Sequence, residues 1–144
     1  MSAETKFHFF PGKNTPSVVR VAVAIYWLAL ANFLVHLVSD VGIPPFHTRP
    51  EIEGAITALV LLCMFLIPYA FTIVRLSSGK LWARNVVLLL TALVVVITVR
   101  RLLAYGISFQ QRDIMTLISV AAEAVAALFL LVPRSTFWFR SKVG

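Results

Sequence analysis

Four long apolar stretches fill most of the chain, each bounded by charged or turn-forming residues: Val18–Val38, Gly54–Val74, Ala83–Val99 and Ile114–Val132. As a helix rising about 1.5 Å per residue, each covers the ~30 Å hydrocarbon core of a bilayer. The pattern predicts an all-α integral membrane four-helix bundle, with one transmembrane domain over residues 1–144 and no separate soluble domain. Ser77-Ser78-Gly79 predicts a tight turn that makes the second and third spans an antiparallel hairpin, the middle of an up-down arrangement. Gly42, Pro44, Pro45 and Pro50 predict a stiff, non-helical loop after the first span. Pro68, inside the second span, predicts a kink or a missing backbone hydrogen bond.

Composition narrows the solvent further. Apolar residues make up 60% of the chain and charged residues 13%, against roughly half and a quarter in soluble domains. A mean hydropathy of +0.91 fits burial in lipid rather than in a water-soluble core. The net charge of +7 raises nucleic acid as a partner. The basic residues stand at the ends of the spans, however, where they anchor a membrane protein against anionic headgroups; no nucleic acid is expected. Cys63 is the single cysteine and falls within a span, so it reads as a small buried hydrophobe and excludes a thiol oxidoreductase that works through cysteine pairs.

The charges also predict orientation. Lys6, Lys13 and Arg20, then Arg75, Lys80 and Arg84, then Arg134, Arg140 and Lys142 put nine cations on one side. Arg49, Arg100, Arg101 and Arg112 put four on the other. The positive-inside rule then places both termini in the cytoplasm. Phe7, Phe9 and Phe10 at one end, Phe137, Trp138 and Phe139 at the other, and Trp82 before the third span read as aromatic anchors at the cytoplasmic interface. Ala29-Leu30-Ala31 has the form of a signal-peptide cleavage site, but the apolar run continues past it to Val38, so a retained helix is expected.

Ser78-Gly79-Lys80-Leu81-Trp82-Ala83-Arg84 enters the third span, and Leu130-Leu131-Val132-Pro133-Arg134-Ser135-Thr136-Phe137-Trp138-Phe139 closes the fourth. These stretches resemble the G-x-x-W-A-R entry and L-L-x-P-x-S-x-x-W-F exit of small four-span bacterial inner-membrane proteins of unassigned function. The resemblance implies a multi-pass protein of the bacterial inner membrane and carries no activity with it.

Candidate chemistry centres on Glu123, the one carboxylate inside the four runs. An ionised carboxylate at mid-bilayer costs ~3 kcal/mol or more on insertion, so Glu123 should face protein and keep its proton unless a cation reaches it. Asn32 and His36 share one face of the first span, and Arg100 stands near the outer end of the third; these are its expected partners. Together with Thr57, Thr98, Thr116 and Ser119 they predict a polar wedge open to the outside. Below it lies an apolar floor in which Tyr26, Tyr69 and Thr72 are the polar exceptions. Ser119, Ala122, Ala126 and Ala127 form a small-residue stripe suited to close helix packing. Asp40, His47, Glu51 and Glu53 in the outer loop show no recognised metal-ligand spacing, because Pro50 interrupts any helix joining His47 to Glu51. No metal and no cofactor are expected.

The sequence thus points to a non-enzymatic accessory or immunity-type protein that binds another membrane protein, or a second copy of itself, within membrane lipid. The alternative is a small proton-coupled exporter in which Glu123 exchanges protons for a lipophilic cation. It is similar to the small multidrug resistance transporters in having four spans and one membrane glutamate, although theirs lies in the first span. A third expectation is an enzyme acting on lipid or quinone headgroups through His36 and Arg100.

Overall fold

A computed structural model describes residues 9–42, 44–106 and 111–142. The described regular elements are helical: α1 (Ser17–Val41), α2 (Arg49–Leu61), a π-helical turn (Leu62–Leu66), α3 (Ile67–Ser77), α4 (Leu81–Tyr105), α5 (Gln111–Leu131) and α6 (Pro133–Ser141). α2, the π turn and α3 run on as one rod, Arg49–Ser77. That rod, α1, α4 and α5 are long and apolar enough to cross a membrane.

Each helix is longer or shifted relative to its apolar run, for local reasons. α1 and α4 continue to glycines, Gly42 (φ 82°) and Gly106 (φ 72°), where the backbone turns out of the helix. The second rod begins at Arg49, five residues before the expected Gly54, because Thr48 and Glu51 form a capping box. The Glu51 carboxylate accepts the backbone N–H groups of His47 (2.8 Å) and Thr48 (3.2 Å). Pro50 is harmless in this first turn, where helical N–H groups have no partner in any case. As expected, no helix joins His47 to Glu51, which sit across a helix start; Pro50, expected in the non-helical loop, lies instead inside the first turn of α2.

Further along, Pro68 has no N–H to donate, and its ring crowds the carbonyl one turn back. The rod widens just before it, with Ile67 N–H donating to Leu62 O five residues behind. The fourth run ends at Leu131. Pro133 disfavours helical geometry at Val132, which is extended (ψ 139°), and then opens the unexpected α6 as its first residue.

The α3–α4 connection confirms the expected turn and gives it a mechanism. Gly79 (φ 78°) lets Gly79 N–H reach Leu76 O (3.0 Å) and Lys80 N–H reach Arg75 O (3.1 Å). This is a Schellman motif, which serves the last carbonyls of α3. A Cβ at Gly79 would stand 3.0 Å from Lys142 Cγ and 3.1 Å from Trp138 Cη2, so α6 folds closely over this turn.

α1 packs against α3 and α5, and α4 packs against the same two helices, while α2 rests against α1. The core is concentrated at one end. Val19, Ala22, Val23 and Tyr26 of α1, Ile73 and Leu76 of α3, Ala83 and Val87 of α4, Ala126 and Leu130 of α5, and Phe139 of α6 are all fully buried. We call this the closed end. Toward the other end, Val35, Ile56, Leu103, Tyr105 and Met115 are exposed. α2 buries a single residue, Ala58.

Candidate functional site

The core face of α1 repeats as Val19, Val23, Tyr26 and Leu30, which a helix stacks along one side. Tyr26 is therefore carried into the bundle with its aliphatic neighbours and is fully buried. Its hydroxyl lies 3.1 Å from Thr91 Oγ1 of α4, so a hydrogen bond spans two helices. On α5 the face Glu123, Ala126, Leu130 turns toward the same interior, and Ala126 is fully buried. Glu123 is half-buried and stands at about the depth of Tyr26 and of Tyr69 (α3).

Each of the four long helices thus contributes one polar residue to a single layer. Tyr26, Tyr69, Thr91 and Glu123 stand nine, eight, ten and eight residues from the closed-end limits of their helices at Ser17, Ser77, Leu81 and Leu131. That is about 12–15 Å from the closed end at 1.5 Å per residue. No hydrogen bond or ion pair ties the Glu123 carboxyl to another described residue, and no described cation faces it. The layer offers one carboxyl, two phenols and one hydroxyl in apolar surroundings, a set able to hold or relay a proton.

The expected partners of Glu123 are not brought to it. Asn32 and His36 lie six and ten residues beyond Tyr26 on α1, about 9 and 15 Å toward the open end. Both are half-buried, and Arg100, nine residues beyond Thr91, is exposed. Depth along the helix decides this: sharing a face does not bring residues two or three turns apart to one carboxyl. Of the residues expected in the polar wedge, Thr98 and Thr116 line a cleft of about 390 Å³ between α4 and α5, together with Arg101 and Asp113. Arg101 Nη2 donates to Asp113 Oδ1 at 3.3 Å across this cleft.

The small-residue stripe is used inside the chain. Ala126 belongs to the core, and Ser119, Ala122 and Ala127 are half-buried on α5, which packs closely on α1 and α4. At the start of α2 Glu51 is taken by the helix cap, and Arg49 Nε donates to Glu53 Oε1 at 3.0 Å. Among the described residues no group of three metal-ligating side chains comes together.

Arg84 is a feature the sequence did not single out as buried. It is only 9% exposed, donates from Nη2 to Thr136 Oγ1 of α6 at 3.1 Å, and lies over the Phe139 ring at 5.7 Å. Its Nε and the Ser135 hydroxyl are buried without hydrogen-bond partners among the described residues. The aromatic ends also differ from simple belts. Phe9 folds back on α1, with its carbonyl accepting Trp27 Nε1–H at 3.0 Å and the two rings 6.5 Å apart. Lys6 and Phe7 lie outside the described residues, as does the Arg112 side chain. No protein-family model, curated protein or solved structure matches the chain.

Proposed function

We propose that this chain is a non-enzymatic multi-pass protein of the bacterial inner membrane, an antiparallel up-down bundle with both termini cytoplasmic, that binds another membrane protein. One observation carries the reading. α2 buries only Ala58, yet presents Ile52, Ile56, Leu59, Val60 and Leu61 on its outside, with Met64 and Phe65 of the π turn continuing the surface. Half of a membrane-crossing rod is therefore held out from its own bundle. The small-residue stripe of α5, already packed on α1, is not part of this surface.

A photoreactive residue at position 56 or 59 should give one discrete protein adduct in intact membranes, while the exposed position 89 on α4 should give lipid adducts only. Lipid adducts alone at all three positions would sink the reading. An adduct of twice the chain's own mass would identify the partner as a second copy.

The Glu123 layer supports a second reading, a proton-coupled exporter of lipophilic cations. Glu123→Gln preserves shape and hydrogen-bonding capacity, so the variant should remain as stable as the parent. Loss of pH-gradient-driven ethidium efflux from proteoliposomes in that stable variant would favour the exporter. Parent protein that moves no ethidium would reject this substrate class.

A further inference from the structure

We infer that the closed end carries a binding site for a phosphate group, and that an anionic phospholipid headgroup supplies it; the lipid source rests on the membrane reading above. A pocket of about 280 Å³ opens where three separate segments meet. The turn Gly12–Thr15 ahead of α1 contributes Lys13 and Asn14, the end of α6 contributes Trp138 and Lys142, and the end of α3 supplies Ser77 and Ser78.

Two lysines from segments more than a hundred residues apart in sequence thus line one small pocket. Neither has an ion-pair partner among the described residues. The described carboxylates all lie elsewhere: Asp40, Glu51, Glu53 and Asp113 flank the open end, and Glu123 stands in mid-bundle. Several carbonyls at these helix ends already accept hydrogen bonds. Ser77 Oγ donates to Ile73 O and Val74 O, Ser78 Oγ donates to Val74 O, and the Schellman bonds occupy Arg75 O and Leu76 O. At the end of α6, Ser141 Oγ donates to Trp138 O at 2.7 Å.

Among the described residues the pocket has positive charge, the amide donors of Asn14 and no carboxylate. This is the complement of a phosphate oxyanion. Trp138 walls the pocket, and an indole suits the headgroup level of a membrane, where the phosphodiester of a phospholipid would be presented.

The test is lipid titration of the detergent-solubilised full chain, followed by native mass spectrometry. Phosphatidylglycerol should fill one saturable site more tightly than phosphatidylcholine. Lys13→Ala and Lys142→Ala should each weaken that site roughly fivefold, and the double variant about thirtyfold. Arg20→Ala and Arg134→Ala remove equal charge from exposed positions at the same end but outside the pocket, and should change affinity less than about twofold. Equal losses in all four single variants, or no preference for phosphatidylglycerol, would overturn the site. Inorganic phosphate forms a separate arm. Saturable phosphate binding that depends on Lys13 and Lys142 upholds the phosphate site, and if it matches phosphatidylglycerol in affinity it overturns the lipid as its source.

Discussion

Tyr26 shows how a polar group is tolerated in so apolar an interior. Its ring belongs to the buried cluster that holds Val23 and Leu30 while its hydroxyl meets Thr91, so the side chain serves the core and joins α1 to α4. Interhelical hydrogen bonds in membranes contribute about 0.6 kcal/mol on average and reach ~1.7 kcal/mol. Tyr26→Phe and Thr91→Val should each lower stability within that range while leaving volume almost unchanged. The double variant should lose no more than either single one, because the second change removes a bond already absent. Fully additive losses in equilibrium unfolding would show that the two hydroxyls act separately. Arg84 makes the same point at the closed end, where one buried guanidinium joins α4 to α6 through Thr136 and Phe139. In sequence it looked like an ordinary interfacial cation, since the contact that buries it comes from a helix 52 residues away.

The helices owe their limits to a few short-range signals. Thr48-Arg49-Pro50-Glu51 holds a capping-box spacing with proline inside the first turn, and it sets the start of α2 before any apolar residue appears. Thr48→Ala should destabilise this start by about 0.5–2 kcal/mol. Hydrogen exchange should quicken at Ile52 and Glu53 and stay unchanged in α4. Unchanged exchange at both sites would mean that packing, not the cap, holds the turn. Gly79 and Pro68 were legible because glycine and proline act on their own backbone. α6 was not, because its aromatic residues carried the same signal as a membrane anchor and its role depends on the α3–α4 turn beneath it.

The bundle taken whole is polarised, with a packed end bearing the termini-side segments and an open end where the α4–α5 cleft lies. On the proposed orientation, with both termini cytoplasmic, a reporter active only outside the cytoplasm should be silent after Gly144 and active at Pro45. The reverse pattern would invert the orientation. In a Cys63→Ser background, cysteines at positions 36 and 98 should react with a membrane-impermeant thiol reagent added outside, since hydrated thiols ionise. A cysteine at the buried position 72 should resist reagent from both sides. Reaction at 72 but not at 98 would place the water-accessible end opposite to this reading.

Four apolar runs and the Ser77–Gly79 turn were enough to predict four helices long and apolar enough to cross a membrane, which the described residues form, because helix length and backbone preference are local properties. Which polar groups meet Glu123 was not local. Asn32 and His36 share a helix face with one another, but their distance from Glu123 depends on how far α1 slides along α5. Packing of Val19, Ala22 and Val23 against the α5 face that carries Ala126 and Leu130 sets that offset, and it brings Tyr26 to the layer in place of Asn32. The meeting of Lys13 with Lys142 has the same origin: chain ends far apart in sequence become neighbours only when α6 folds over the α3–α4 turn.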